Sequence, residues 1–503
     1  MPHTGQQTDQ QPNVLFIISH DFGPRIGCFG DTQAVTPNID RLAQQNSLRF
    51  ERHFAQWPLC GPSRANLWTG CRPPTTQRYD NTSFFPEFRA RMGPDFATLP
   101  EHFRRHGYAS AGIWHLLHGF ERDDSSWDEP CWHPSLPTPE IPDFVPRNQL
   151  DHFYWWVSDE AFALVKERMG RWQAQGHPLN EPRRYRGPAV EAPDVPDNAY
   201  VEGQATEQAI NWLNHYDGQK PFFLGVGYEI GHLPFCAPKK YWDLYNRDHL
   251  SIPGAADQPP GSPDWVRGDK EPAQYYWQHS YDKVWHPTFE QQKELLHGHY
   301  AAMSYWDAQI GRLIEALEQN GLRDNTVIVI TTDHGFTDGQ HGYVGKHNMW
   351  EDALHVPLLI QLPGYQPPQP ATERLSEHVD LYPTLCELCG LPVPAFVEGS
   401  SLAPLFDDPQ RPWKEAVFSW RRPMYHDLNK GYHQARGLRT ERYRLTVYQN
   451  EPGDALHIEL FDHQHDPLES VNLALDPAKA DLVANLRAKL DASWRAALPQ
   501  KKL

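Results

Sequence analysis

Thr326-Val-Ile-Val-Ile-Thr-Thr332, followed at once by Asp333-His334-Gly335, is the stretch whose reading decides the fold. Its unbroken apolar run suits a strand buried on both faces, as in parallel sheets. From Tyr300 onward, Met303, Trp306, Ile310, Leu313, Ile314 and Leu317 recur at helical spacing, and Gly321 ends that helix. A helix feeding a buried strand predicts an α/β architecture with a parallel sheet. In such sheets, sites gather at the carboxyl ends of the strands, which is where Asp333 and His334 fall.

Working outward, Asn13-Val-Leu-Phe-Ile-Ile-Ser19 has the same texture and runs into His20-Asp21-Phe22-Gly23-Pro24, a polar turn. Thr36-Pro-Asn-Ile-Asp40 starts a helix, with Thr36 or Asn38 as its cap and Pro37 in its first turn. His355–Gln361 reads as a third strand and Leu381–Leu391 as an apolar helix. Residues 121–200 and 250–290, rich in Pro, Trp and Asp, read as long ordered insertions over one sheet edge. Beyond Pro412, short strands at Ala416–Trp420, Ala435–Arg439, Tyr443–Tyr448 and Ile458–Phe461 precede an amphipathic helix over Pro477–Trp494. The expected organisation is a flexible terminus over 1–11, a catalytic domain over 12–408 and a small α+β domain with an antiparallel sheet over 409–503.

Composition narrows the function. Of 503 residues, 39% are hydrophobic, enough for a large core, so wholesale disorder is excluded. The net charge of −18 opposes wrapping nucleic acid or anionic lipid. No apolar run approaches a membrane span. No signal peptide is visible, which predicts a cytoplasmic protein, or a periplasmic or secreted one if the N-terminus is truncated. Seven scattered cysteines do not make a disulfide scaffold, and Cys386 and Cys389 read as buried thiols in a helix rather than zinc ligands.

The most informative chemistry lies in Leu59-Cys60-Gly61-Pro62-Ser63-Arg64-Ala65-Asn66-Leu67-Trp68-Thr69-Gly70. This order of Cys, Pro-Ser-Arg, Leu and Thr-Gly resembles the signature of the type I sulfatases, in which the Cys is oxidised to formylglycine. The resemblance covers nearly the whole chain. Asn13–Asp21 looks like the family's opening strand and metal turn, and Thr331–Gly335 like its second metal motif, with Lys346 at the family spacing. Arg72–Asp80 and Gly227–Phe235 resemble segments of carbohydrate-directed members. The resemblance implies an alkaline-phosphatase-like sulfatase fold, a large mostly parallel sheet flanked by helices.

It also implies a mechanism. A sulfate monoester is anionic and resists attack, so its hydrolysis needs cations on the sulfuryl oxygens, a strong nucleophile and a leaving-group acid. In the family, hydrated formylglycine, here at Cys60, attacks sulfur through one geminal hydroxyl; loss of the other's proton expels sulfate and restores the aldehyde. Asp21, Asp333, His334 and His20 would join Cys60 around a divalent cation, which in the family is Ca2+. Arg64 and Lys346 would neutralise the sulfate, and His232 would contact it. Arg78, Tyr79 and Asp80 would touch substrate.

Two positions depart from the family. His20 stands where an Asp is usual; an imidazole is a softer ligand, so the site either binds Ca2+ with fewer anions or takes a transition metal, unless His20 serves a proton role instead. Near Ile113-Trp-His115-Leu-Leu-His118 the family has a Lys followed by a His. An ungapped match puts His115 on the Lys and His118 on the His; a gapped one puts Ile113 and His115 there. A cationic His in this role would make activity fall as pH rises through its pKa. The expected partners are a sulfated small molecule or saccharide and a formylglycine-generating maturation enzyme, with no nucleic acid and no membrane; the oligomeric state is not legible. The alternatives are a phosphonate monoester or phosphodiester hydrolase of the same superfamily and a degenerate glycan-binding homologue.

Overall fold

The computed structural model describes residues 11–119, 121–134, 154–180, 182, 185–254, 257–267, 275–276, 287–423, 434–450 and 455–499. The expected flexible terminus therefore lies, but for Gln11, outside the described residues, as does much of both expected insertions. Within the first of them, Asp159–Ala174 is a helix whose first turn is capped by the Ser158 side chain accepting from the Ala161 amide.

A seven-stranded sheet organises the molecule. Its strands are β1 (Asn13–Ser19), β2 (Ser47–Phe50), β3 (Ala109–Trp114), β4 (Phe222–Gly227), β5 (Thr326–Thr332), β6 (Leu358–Gln361) and β7 (Ala371–Thr372), in the order β7-β2-β6-β5-β1-β4-β3. The four strands β5, β1, β4 and β3 run parallel, and their ends are in register: Ser19 lies opposite Thr332, Ile18 opposite Gly227, and Gly227 opposite Trp114. The other half is mixed, with β6 antiparallel to both β5 and β2. The single strand expected over His355–Gln361 is split at Pro357, which offers no amide to a ladder.

Both faces of the sheet are buried. Leu15 and Ile17 of β1 pack with Met303, Trp306, Ile310 and Leu313 on one side. Val14, Phe16 and Ile18 pack with Leu67 and Trp68 on the other. Each such side chain contributes about 1.5–3 kcal/mol by leaving water, which is why the apolar runs are continuous rather than alternating.

Two helices position the site. α1 (Cys60–Thr69) is buried along its whole length. α2 (Phe289–Gln319) begins well before Tyr300, at a capping box between Thr288 and Gln291. Its first turns lack an apolar stripe because buried polar residues occupy them; His299, for example, pairs with Asp338 at 2.8 Å. α2 also corrects the expected cap at Thr36. The helix Pro37–Ala43 has neither Thr36 nor Asn38 as its side-chain cap. Instead the Asp307 carboxylate of α2 accepts from the amides of Asn38 (3.1 Å) and Ile39 (2.8 Å).

Beyond residue 415, strands Ala416–Arg421, Gln434–Thr440, Tyr443–Gln449 and Ala455–Asp462 form a sequential antiparallel sheet. The helix Ala480–Ala496 covers it through Leu486, Leu490 and Trp494. Cys386 and Cys389 are buried free thiols. Among the described residues no helix is long and apolar enough to cross a membrane.

Candidate active site

The four parallel strand ends deliver the site. β1 ends at His20 and Asp21, β5 at Asp333 and His334, and β3 at His115; the loop after β4 carries Glu229 and His232. That loop is fastened to β1. Tyr228 donates its amide to the Ile18 carbonyl at 2.8 Å, and Ser19 Oγ donates to the Ile230 carbonyl at 2.6 Å. Gly231 adopts φ +100°, and a Cβ there would collide with the His20 carbonyl oxygen. Only glycine permits so close a crossing without strain.

Cys60 opens α1 and faces these ends. His20, Cys60, Asp333 and His334 offer ligand atoms that all lie within 4.8 Å of one another. Lys346, just past the short strand Val344–Gly345, places Nζ 3.0 Å from Asp21 Oδ2 and 3.5 Å from Cys60 Sγ. Arg64 donates Nε to Asp333 Oδ2 at 3.0 Å and Nη2 to the Ser19 carbonyl at 3.1 Å, and its Nη1 donates to the His115 carbonyl. Ser63 Oγ donates to the Asp333 carbonyl, tying α1 to β5.

Burial dominates the electrostatics. It pushes the Cys60 thiol well above 9, despite Lys346 beside it. Burial alone would raise the Asp333 carboxyl too, but His334, Arg64 and Lys346 outweigh it and hold the group at about 2. The histidines go the other way. Burial, then Arg64, keep His20 and His115 well below 6.5, and burial with Arg78 takes His118 to about 3. The cationic histidine expected as leaving-group acid is therefore disfavoured at both His115 and His118, because desolvation and neighbouring cations oppose the charge.

The remaining expected residues fall into two groups. His232 joins the cluster: its ring lies edge-on to His20 at 5.2 Å and parallel to Trp155 at 6.2 Å. Its Nδ1 lies 2.6 Å from the Leu233 carbonyl, so that atom carries the proton. Arg78 lies against Gly61, but it is buried and already paired with Glu121 at 2.8 Å. It also donates to the carbonyls of Asp80 and Thr82. Tyr79 packs on Trp57 under the Arg422 guanidinium. Asp80 accepts from the Thr82 amide at 2.9 Å. Next to them Asn81 accepts from the Gly61 amide, so the segment braces the start of α1. Sequence reasoning missed Glu229 and Tyr154, whose hydroxyl donates to Glu229 Oε2. The available signal was an acid in the loop directly after a buried strand.

A divalent cation fits this cluster. Asp21 and Asp333 supply anionic oxygens, and His20 Nδ1 is buried without a hydrogen bond among the described residues, though 3.1 Å from Asp333 Oδ2.

The class follows from the fold, the Cys60 segment and the family comparison together. Residues 12–391 match the sulfatase family and residues 339–496 the C-terminal region of N-sulphoglucosamine sulphohydrolase. The chain belongs to the sulfatase family and is a sulfuric ester hydrolase. Among its relatives, iduronate 2-sulfatase of Homo sapiens is 30% identical, over 93% of this chain and 92% of that protein. Choline-sulfatase of Rhizobium meliloti is 27% identical, over 93% and 84%. The phosphonate monoester hydrolase of Agrobacterium radiobacter shares the fold with a TM-score of 0.68 at 23% identity, covering 98% of this chain and 97% of that one.

Proposed function

We propose that this sulfatase removes sulfate from a sulfated carbohydrate, using a formylglycine made from Cys60 by a maturation enzyme, with Ca2+ as its cation. The observation that carries the formylglycine is the state of Cys60. Burial holds its thiol neutral near pH 7, so as a plain cysteine it would be a poor nucleophile, yet it sits where Lys346, Asp333 and His334 converge. A hydrated formylglycine supplies an oxygen nucleophile there and a route to release the sulfate. A carbohydrate is supported by the 30% identity to iduronate 2-sulfatase over nearly the full chain.

The chain's own residues then have definite tasks. Asp21, Asp333, His334 and His20 would hold the cation, which lends positive charge to the sulfate oxygens. Lys346 brings a buried ammonium to position 60, where low dielectric strengthens its attraction for an oxyanion. Arg64 cannot swing away, since Asp333 and two strand-end carbonyls hold its guanidinium; it fixes the orientation of α1 against the cation-holding carboxylates. In neutral His232 the proton sits on Nδ1, donated to Leu233, leaving Nε2 as the basic atom.

The test is to co-express the chain with a maturation enzyme, verify conversion of Cys60 by mass spectrometry, and assay sulfated saccharides beside an aryl sulfate, an aryl phosphonate and a phosphodiester. Release of sulfate from the saccharides is expected to dominate. Converted protein that hydrolyses only the phosphorus esters, or aryl sulfate but no saccharide, would overturn the substrate assignment.

A further inference from the structure

Glu229 stands directly behind the cation-holding residues, and none of the tasks above uses it. Its side chain is buried in the loop after β4, where Oε2 accepts from Tyr154 and lies 3.8 Å from His115 Nδ1. His115 Nε2 in turn meets His20 Nε2 at 2.8 Å. His20 Nδ1 faces Asp333 Oδ2 at 3.1 Å and Asp21 Oδ1 at 3.6 Å. The four groups form one buried line from Tyr154 to the carboxylates.

Two neutral imidazoles touching Nε2 to Nε2 can hold only one proton between them, so one donates and the other accepts. Which does so is decided at the far ends of the pair. A carboxylate behind His115 favours the proton on His115 Nδ1. His115 Nε2 is then the acceptor, and His20 must carry its proton on Nε2. His20 Nδ1 is left with its lone pair directed at the space between Asp333, Asp21 and Cys60. In the opposite tautomer Nδ1 carries hydrogen and cannot ligate. An Asp at position 20 would need no such control, because a carboxylate has lone pairs on every side. An imidazole has one, and its second nitrogen sets its direction.

We propose that Glu229 is a positioning residue which, through His115, holds His20 in the tautomer that ligates a divalent cation by Nδ1. This rests on the reading of His20 as a cation ligand. It gives the imidazole at position 20 a partner: His20 and His115 work as a pair, with Glu229 as their anchor. It also makes the site a mixed nitrogen and oxygen donor set, which suits a borderline divalent ion such as Mn2+ as well as Ca2+.

Mn2+ alone provides the probe, because its electron spin reports directly bound nitrogen as a hyperfine coupling. Burial pushes the Glu229 carboxyl up to about 7, while Tyr154 acts against that, so the measurement belongs at about pH 8. The full-length protein is expected to show two nitrogen couplings, from His20 and His334, of which His20→Ala removes the first. Glu229→Leu is expected to lose the same coupling and bind Mn2+ about tenfold more weakly. Glu229→Gln keeps an oxygen that can face His115 Nδ1 and is expected to retain both that coupling and the affinity. Should Glu229→Leu not fold, His115→Leu breaks the line one residue further on, with the same loss expected. Unchanged coupling and affinity in the leucine variant, or equal loss in Glu229→Gln, overturns the positioning role. A wild-type protein with fewer than two nitrogen couplings, or one in which both survive His20→Ala, overturns the reading of His20 as a ligand instead.

Discussion

Two of the buried charge clusters among the described residues are built on opposite principles. In one, Arg72 grips Glu377 with two bonds of 2.6 Å, and Lys414 reaches Glu377 at 3.0 Å and Asp380 at 2.7 and 2.8 Å. The amides of Phe418, Glu377 and Ser400 fill the remaining carboxylate positions. Two anions meet two cations, and each carboxylate oxygen accepts twice. In the other cluster, Asp21, Asp333, Arg64 and Lys346 also balance formally, but His20, His115, His118, His334 and Cys60 crowd the same space, and the Nδ1 atoms of His20, His115 and His118 make no hydrogen bond among the described residues. The first cluster leaves no carboxylate oxygen unfilled, though Arg72 Nε lacks a hydrogen-bond partner among the described residues, and it joins the segment before the C-terminal sheet to the short strand Ser376–Glu377 and the turn after it. The second has donors to spare, which is costly unless something else binds there.

The sharpest way to test this contrast is at Cys60. Cys60→Ala is expected to cut sulfate release by at least about a thousandfold, the scale lost with a nucleophile, while thermal unfolding stays close to wild type. Comparable turnover in the variant would remove Cys60 from the chemistry. Next in size, Asp21→Ala and Asp333→Ala are each expected to cost about a hundredfold or more in kcat/KM and to lower bound metal in parallel, measured by elemental analysis of the purified protein. Metal content equal to wild type in both would contradict their assignment.

The Glu377 cluster is expected to respond the other way. Lys414→Met leaves Asp380 and Glu377 underpaired in a buried place. Urea unfolding is expected to show a loss of about 3–5 kcal/mol, with kcat per folded molecule little changed. An equal loss of kcat would mean that the two clusters are not separable. The smallest effect is one of pH. Burial alone would raise Glu377, but Arg72 and Lys414 outweigh it and hold it at about 2. A carboxyl depressed in the folded state adds stability that is full above its unfolded pKa, about 4.3, and fades as pH falls toward about 2. Wild type is expected to lose stability across that window, and Glu377→Gln to lose less of it there. Parallel curves for the two proteins would show that Glu377 does not drive the acid limb.

Much of this was legible in the sequence, for identifiable reasons. β1 and β5 announced themselves because strands buried on both faces need unbroken apolar runs, and Asp21 and Asp333 were placed by the rule that sites gather at strand ends. The last four strands were legible from their short alternating texture. The direction of β6 was not, because an apolar run does not say which way a strand runs. The Asp307 cap on the Pro37 helix was hidden by distance, since its donors lie some 270 positions away in the chain. Glu229 was hidden in the same way: its partners Tyr154 and His115 come from separate segments, and a lone acid in a loop looks solvated. The expected substrate contact at Arg78 looked free in the sequence because Glu121, which holds it, carries no motif.

The four parallel strand ends have one more consequence. Neighbouring strands in any sheet sit at a pitch of about 4.8 Å, fixed by the backbone ladder. The residues at positions 333, 20, 229 and 115 are therefore mounted like teeth on a comb whose spacing no side chain can alter. A change in the radius or donor preference of whatever sits between them cannot be met by moving the backbone; it has to be met by changing which teeth are long and which are short. An imidazole in place of a carboxylate at one tooth, answered by an imidazole and an acid on the next two, is the kind of retuning such a mount allows.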